Sequence, residues 1–194
     1  MLKITAFNGS ARKDGNTAIL LNAALAELKK QGFETELVQL AGRPLRGCTA
    51  CNGCFKNKDK KCVLPDDGLN EYVAKMTGSA GVLIGSPTYF ADVTTDIKAL
   101  IERAGFVSMA NGGLFRRKAG AAVVAVRRGG AVHAFDTINH FFTITQMIIP
   151  GSNYWNVGVG RDIGEVGNDK EGMATMKVLG ENMGWLLSKL HGTV

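Results

Sequence analysis

The sequence contains no apolar run of the roughly 18 residues or more that a membrane-spanning helix requires. Its first residues, MLKITAFNGSARKDG, hold only a short apolar stretch, whereas a secretory signal needs an apolar segment of about 7 to 15 residues. We therefore expect a cytoplasmic protein that neither crosses a membrane nor is exported.

The sequence also lacks internal repeats, low-complexity linkers and any recognisable nucleic-acid-binding motif. The net charge of +6 comes from 23 Lys and Arg against 17 Asp and Glu, and the basic residues are scattered among acidic ones. This distribution favours a solvated basic surface, or a preference for anionic cofactors, over a nucleic-acid partner. With 45% hydrophobic residues, residues 1–194 are expected to form a single domain around one core, with a cysteine-rich insertion at 44–65.

Cysteine is absent from the whole chain except for one segment, CTACNGCFKNKDKKC, residues 48–62, which holds all four. Thiols stay reduced in the cytoplasm, so two structural disulfides are disfavoured and metal or redox chemistry is favoured. The cluster of thiols therefore indicates a metal or iron-sulfur site, a redox-active set, or a chance grouping.

Hydrophobic patterning predicts alternating strands and helices. Apolar runs predict five strands, LKITAFNGS, FETELVQL, AGVLIGS, KAGAAVVAVRR and IIPGSNYW. Helical spacing predicts five helices, TAILLNAALAELKK, DDGLNEYVAKM, TTDIKALIERAG, AVHAFDTINHFFTITQM and DKEGMATMKVLGENMGWLLSKLHG. In the last helix the apolar spacing places six residues inward: Met176, Leu179, Met183, Leu186, Leu187 and Leu190. Such alternation is typical of a three-layer α/β sandwich with a parallel sheet.

Three loops follow strands and should meet at one edge of the sheet, where ligands of such folds bind. The first, NGSARKDGNT, carries Ser10, Arg12, Asn16 and Thr17 into a helix start, where free backbone N–H groups and the helix dipole favour a phosphate. The same residues are also typical of an ordinary helix cap.

The other two loops suit a flat ring. The loop after the third predicted strand contains Pro87, Thr88, Tyr89 and Phe90, whose aromatic side chains can lie along a heterocycle or cover a core edge. Gly129 and Gly130 follow the fourth predicted strand and permit close approach of the backbone to a planar ligand, or simply a tight turn.

The segments GSARKDGNT and GSPTYFADVTTDIKALIERAG, with the later glycine pair, resemble the NAD(P)H-dependent FMN reductase group of flavodoxin-like proteins. The cysteine segment followed by CVLPDDGL is most similar to the iron-sulfur flavoproteins of that group. The resemblance implies a flavodoxin-like fold with a five-stranded parallel sheet, a homodimer or homotetramer, and bound FMN. It assigns the phosphate to Ser10, Arg12, Asn16 and Thr17, and the ring to Pro87, Thr88, Tyr89, Phe90, Gly129 and Gly130.

The resemblance also implies a 4Fe-4S cluster held by Cys48, Cys51, Cys54 and Cys62. Their spacing, C-x2-C-x2-C-x7-C, suits a cubane, because three closely spaced thiolates can wrap the irons and a fourth arrives from further along. Two alternatives stay open. The thiols can be unligated or partly redox-active, or they can bind zinc, although zinc usually takes two separate CxxC pairs.

Together these features favour an FMN-dependent oxidoreductase that passes electrons between a ferredoxin-like protein or NAD(P)H and a small-molecule acceptor. No catalytic side chain is assigned, because the flavin carries the chemistry. The alternatives are a cluster-free NAD(P)H-dependent FMN or quinone reductase and a noncatalytic carrier of the flavodoxin type. Flavodoxins are typically acidic, so a pI near 9.2 counts against the carrier.

Overall fold

The computed structural model describes residues 1–43 and 45–192. Pro44, where the predicted insertion begins, and the last two residues of the predicted domain lie outside the described residues. The strands are β1 (Lys3–Asn8), β2 (Glu34–Gln39), β3 (Gly81–Pro87), β4 (Ala119–Val126) and β5 (Val157–Val159). The helices are α1 (Asn16–Lys30), α2 (Gly53–Asn57), α3 (Leu69–Gly78), α4 (Thr95–Ala110), α5 (Ala131–Ile144) and α6 (Lys170–His191), with a 3₁₀ turn at Glu165–Asn168.

All five strands run parallel, in the order β2-β1-β3-β4-β5. This is the order of flavodoxin-like proteins, and it confirms the expected fold class. The direction of winding reverses between β1 and β3, so the loops that follow these two strands separate and leave a crevice. The crevice lies at the carboxyl edge of the sheet, where the three loops singled out in the sequence meet.

Each face of the sheet is covered by a layer of helices. On one face, α3, α4 and α5 pack on alternate strand residues such as Phe7, Ile84 and Val124. On the other, α1 and α6 pack on the residues between them, such as Ala6 and Leu83. Because both faces are buried, β4 is an unbroken buried run, as its sequence predicted.

The predicted helices are present, and most of their predicted inward residues are buried. Leu190 was predicted to face inward but is 42% exposed, because it lies in the last turn of α6, past the edge of the core. The short helix α2 inside the cysteine segment has no counterpart among the predicted elements. None of the described helices is both long and apolar enough to cross a membrane.

The predicted position of the fifth strand, IIPGSNYW at residues 148–155, is wrong. Ile148 makes only a single bridge to Ala119, and the strand itself lies at Val157–Val159. Pro150 has no N–H to donate to a neighbouring strand, and the chain bends further on, at Asn153 and Tyr154. The chain therefore leaves the sheet after Ile148. It rejoins the sheet beside β4 at Asn156, whose side-chain nitrogen donates to the Ala122 carbonyl at 2.9 Å.

Candidate functional site

A cavity of about 200 Å³ opens at the carboxyl edge of the sheet, where loops after four strands meet. Seven of the ten residues predicted to bind the cofactor line it, namely Ser10, Arg12, Asn16, Thr17, Pro87, Thr88 and Tyr89. The rest of the lining comes from Ala125, Val126, Arg127, Gly160 and Arg161. Phe90, Gly129 and Gly130 are not part of the lining.

The part of the cavity formed by the start of α1 suits an anion. Helix α1 begins after Gly15, no side chain among the described residues caps its first N–H groups, and its first turn contains no acidic residue. The Thr17 hydroxyl is buried and finds no hydrogen-bond partner among the described residues. A buried hydroxyl without a partner is unfavourable, so an arriving phosphate oxygen would satisfy both this donor and the helix N–H groups.

The Asn16 side chain is engaged elsewhere. Its amide nitrogen donates to the Asp162 carbonyl at 2.9 Å, and its amide oxygen accepts from the Gly164 N–H at 3.0 Å. Asn16 therefore ties the loop after β5 to the start of α1. Its contribution to the cavity is to hold the wall that Gly160 and Arg161 form.

Sequence reasoning missed five residues of the lining, namely Ala125, Val126, Arg127, Gly160 and Arg161. Arg127 and Arg161 are exposed and line the cavity, as does Arg12, so three arginines contribute to its wall. Gly160 is required by space, since a Cβ there would lie 2.6 Å from the Val166 nitrogen. The segment VGVGRD ends a strand beside β4, and placing that strand correctly would have brought its loop to the same edge.

The loop after β3 makes a tight turn that exposes two aromatic residues. Tyr89 and Asp92 pair through backbone hydrogen bonds of 2.9 and 3.1 Å, which leaves Phe90 and Ala91 at the tip. Phe90 and Ala91 have φ values of 48° and 64°, in the left-handed region that disfavours residues with a side chain. Phe90 is fully exposed and Tyr89 is 48% exposed, so the turn presents a strained aromatic surface at the mouth of the cavity.

Gly130 brings the third predicted loop against this turn. It has a φ of 89° at the start of α5, and a Cβ on it would lie 2.8 Å from the Ala91 Cα. Asp92 fixes the turn to α5 as well, because it accepts from the Thr137 hydroxyl at 2.8 Å. Partial burial alone would raise the pKa of Asp92, but hydrogen bonds from the Val93 N–H and Thr137 lower it.

A second cavity lies on the α4 side of the molecule and contains all four cysteines. Cys48, Cys54 and Cys62 are half-buried and Cys51 is exposed. The cavity is closed by side chains of the same segment and of α4, including Phe55, Val63, Leu64, Arg103, Phe106 and Val107. It shares no lining residue with the cavity at the sheet edge.

The backbone between the first three cysteines is tightly curled. Ala50 and Asn52, which lie between successive cysteines, have φ values of 52° and 56° in the left-handed region. Alternation of right- and left-handed residues turns backbone N–H groups to one side, an arrangement found around phosphates and iron-sulfur clusters. Here the Ala50 N–H donates to the Cys48 sulfur at 3.4 Å, and the backbone N–H groups of Gly53 and Phe55 act to lower the pKa of Cys51 and of Cys54.

The environment of the thiols differs along the segment. The Gly53 N–H and the Thr49 hydroxyl lower the pKa of the exposed Cys51 thiol. Burial raises the pKa of Cys54, and the neighbouring thiols Cys62 and Cys48 raise it further. Among residues 1–43 and 45–192, no three Cys, His, Asp or Glu side chains lie close enough together to hold a single metal ion.

Comparison with known proteins agrees with this architecture. Residues 2–162 match the family model described as NADPH-dependent FMN reductase. An iron-sulfur flavoprotein of Methanocaldococcus jannaschii is 35% identical over 189 residues, covering 94% of this chain and 95% of that protein. An iron-sulfur flavoprotein of Archaeoglobus fulgidus is 28% identical over 197 residues, covering 97% and 99%.

Among solved structures, the chain superposes on RosB with its bound intermediate, 8-demethyl-8-formylriboflavin-5'-phosphate, with a TM-score of 0.79. That match covers 100% of this chain and 81% of RosB at 18% identity. At this identity the likeness concerns the fold, and it agrees with the parallel sheet and strand order described above.

Proposed function

Because this chain belongs to the NADPH-dependent FMN reductase family and is a flavin-dependent oxidoreductase, we propose that it carries a 4Fe-4S cluster beside its FMN. In this proposal the protein links a one-electron donor of the ferredoxin type, or NAD(P)H, to a small-molecule acceptor. The observation that carries the proposal is the curled cysteine segment, in which four thiols converge on one cavity.

The chemistry of the donor set supports the cluster. Cys48, Cys51, Cys54 and Cys62 line one cavity, and thiolates are the ligands that iron-sulfur clusters take. The left-handed region costs roughly 1 to 2 kcal/mol for a residue such as alanine, whereas asparagine adopts it more readily. Ala50 and Asn52 both lie in this region between the first three cysteines, and the strain at Ala50 is explained if the curled backbone serves a ligand.

The residues at the sheet edge support FMN as the ligand of the other cavity. We propose that the phosphate lies at the start of α1, where the Thr17 hydroxyl and the uncapped helix N–H groups have no acceptor among the described residues. The guanidinium groups of Arg12, Arg127 and Arg161 would offset its charge. The ring would lie beside Pro87, Thr88 and Tyr89, with Phe90, Gly129 and Gly130 closing its outer side.

When bound, FMN supplies the ability to accept two electrons from a donor and to release them singly. The chain's own residues bind and orient the cofactors. The α4 side also presents four exposed lysines next to the thiols, Lys56, Lys58, Lys60 and Lys61. These lysines would attract an acidic electron-carrier protein, and salt would weaken that attraction.

Homodimer or homotetramer formation stays a prediction. A groove of about 410 Å³ between α4 and α5 exposes the apolar side chains of Phe106, Met109 and Ile144. Its rim carries Lys98 and Glu102, which pair with each other within the chain at 3.2 Å, so an apolar floor is bordered by a polar rim, as in many protein interfaces. We propose a second copy of the chain as the partner on this face.

The proposed electron route is tested by comparing donors under anaerobic conditions. Reduced ferredoxin is expected to bleach the flavin absorbance of the wild-type protein rapidly, but at least about tenfold more slowly in a Cys51→Ala variant that lacks the cluster. NADPH is expected to bleach the flavin at similar rates in both proteins, because a hydride donor would not need the cluster. Stopped-flow absorbance measures both rates.

Equal ferredoxin rates in the two proteins would contradict the route through the cluster. Rapid bleaching by NADPH with none by ferredoxin in the wild type would instead favour the cluster-free reductase. Turnover with a quinone in the same assay then reports whether a small molecule can serve as the acceptor.

A further inference from the structure

A buried ion pair lies against the cysteine cavity. The side chains of Arg103, on α4, and Asp67 are 1% and 9% exposed, and their charged groups are in contact. Burying a guanidinium is unfavourable unless it is paired and hydrogen-bonded, and arginine does not lose its proton in proteins. The fold therefore maintains a permanent positive charge at the wall of the cavity that contains the four thiols.

The Arg103 guanidinium is shared among three partners. Its Nη1 donates to the Arg46 carbonyl oxygen at 3.1 Å and to the Asp67 carboxylate, and its Nη2 donates to the Cys62 sulfur at 3.4 Å. The Asp67 carboxylate also accepts from the Arg46 N–H at 3.1 Å. Because Arg46 precedes the first cysteine and Asp67 follows the last, the ion pair joins both ends of the cysteine segment.

Cys62 differs from the other three cysteines in the source of its hydrogen bond. The Cys48 sulfur accepts from the Ala50 N–H at 3.4 Å, and backbone N–H groups of Gly53 and Phe55 act to lower the pKa of Cys51 and of Cys54, whereas the Cys62 sulfur accepts from the arginine. The Cys62 backbone is held separately by Asn70, which accepts from its N–H at 2.8 Å and donates to its carbonyl at 3.0 Å. The contact from Arg103 to sulfur is therefore not needed to fix the Cys62 backbone.

One N–H donor of Arg103 has no hydrogen-bond partner among the described residues. This donor is the Nε–H, which is buried. A buried N–H without a partner is unfavourable, and Arg103 lines the cavity in which the proposed cluster would offer sulfur acceptors. Together with the Cys62 contact, this unpartnered donor favours a sulfur-containing group beside Arg103.

We propose that Arg103 is a positioning residue that hydrogen-bonds the Cys62 thiolate of the cluster and raises its reduction potential, while Asp67 limits this effect by offsetting the arginine charge. The inference rests on the cluster of the proposed function. Four thiolates give the cluster a negative total charge, which grows by one when one electron is taken up. A nearby cation or N–H···S hydrogen bond favours the more negative state, and a nearby carboxylate disfavours it.

Two conservative substitutions should therefore shift the potential in opposite directions. Arg103→Lys keeps the positive charge and the partnership with Asp67, but a single ammonium cannot also reach the Cys62 sulfur. We expect the potential to fall, with a reduction equilibrium constant at least about threefold smaller. Asp67→Asn keeps the arginine and removes its countercharge, so we expect a rise of at least about tenfold, which is 59 mV for one electron.

The measurement is an anaerobic potentiometric titration of the cluster, followed by its electron paramagnetic resonance signal, with iron content determined on each sample. Glu71→Gln is the matched control, since it removes a carboxylate that pairs with Arg43 at 2.7 Å on the exposed surface of α3. Solvent screens that pair, so the control should leave the potential unchanged. Opposite shifts in Arg103→Lys and Asp67→Asn support the proposal.

Shifts of the same sign in the two variants, or no difference from Glu71→Gln, would overturn it. If Asp67→Asn fails to retain iron, Arg103→Lys alone decides, because a lower potential supports the proposal and an unchanged one overturns it. A wild-type protein without iron overturns the cluster itself, and iron analysis detects this failure before any potential is measured.

Discussion

Replacing Cys51 by alanine is expected to remove most of the iron from the purified protein while its FMN stays bound. The reason is geometric, because the cysteine cavity and the cavity at the sheet edge have no lining residue in common. Cys51 is the exposed member of the four, so alanine there should not disturb packing. Iron and FMN content per chain, measured after anaerobic purification, check both halves of this expectation.

The matched control is Lys56→Ala, an exposed substitution in the short helix α2 of the same segment. It should leave iron and FMN unchanged. Iron retained in full by Cys51→Ala would contradict the assignment of this thiol as a ligand. Loss of FMN together with iron would contradict the independence of the two sites.

Replacing Thr17 by valine is expected to weaken FMN binding by roughly ten- to a hundredfold, which corresponds to a charge-assisted hydrogen bond of about 1.5 to 3 kcal/mol. The cofactor-free protein should instead become slightly more stable, because the buried hydroxyl has no partner among the described residues. Valine keeps the methyl group that packs close to Gly85. Flavin fluorescence titration and thermal melting of the cofactor-free protein measure the two effects.

Ser108→Ala provides the control for this pair of opposite effects. Ser108 on α4 also has a buried hydroxyl without a partner among the described residues, but it does not line the cavity at the sheet edge. Its replacement should leave FMN affinity unchanged. Equal FMN affinity in Thr17→Val and the wild type would contradict a phosphate at the start of α1.

The fold followed from sequence because its signals are local. Buried parallel strands such as β4 are continuous apolar runs, and helices such as α1 have regular apolar spacing and a nearby glycine stop. The fifth strand was misplaced because Ile148 and Ile149 begin an apolar stretch like those of true strands. What separates it from β5 is Pro150, which has no N–H to donate, and the tertiary hydrogen bond of Asn156, and the second of these is not local.

The site was only partly predictable for the same reason. Ser10 and Thr17 lie beside a helix start that the sequence identifies, whereas Gly160 and Arg161 reach the cavity because β5 pairs with β4. In the sequence Arg103 resembles a surface charge of an amphipathic helix. Its burial depends on Asp67 and Cys62, which are 36 and 41 residues away, and only the folded chain brings them together.

The central claim is that one chain holds both FMN and a 4Fe-4S cluster. The most direct test is purification of the wild-type protein without oxygen, with iron, sulfide, zinc and FMN measured alongside the visible spectrum. We expect about four irons, four sulfides and one FMN per chain, with broad cluster absorption beneath the flavin bands. One FMN per chain with no iron after attempted reconstitution would contradict the claim, and so would zinc in place of iron. Either result would leave a cluster-free flavin reductase.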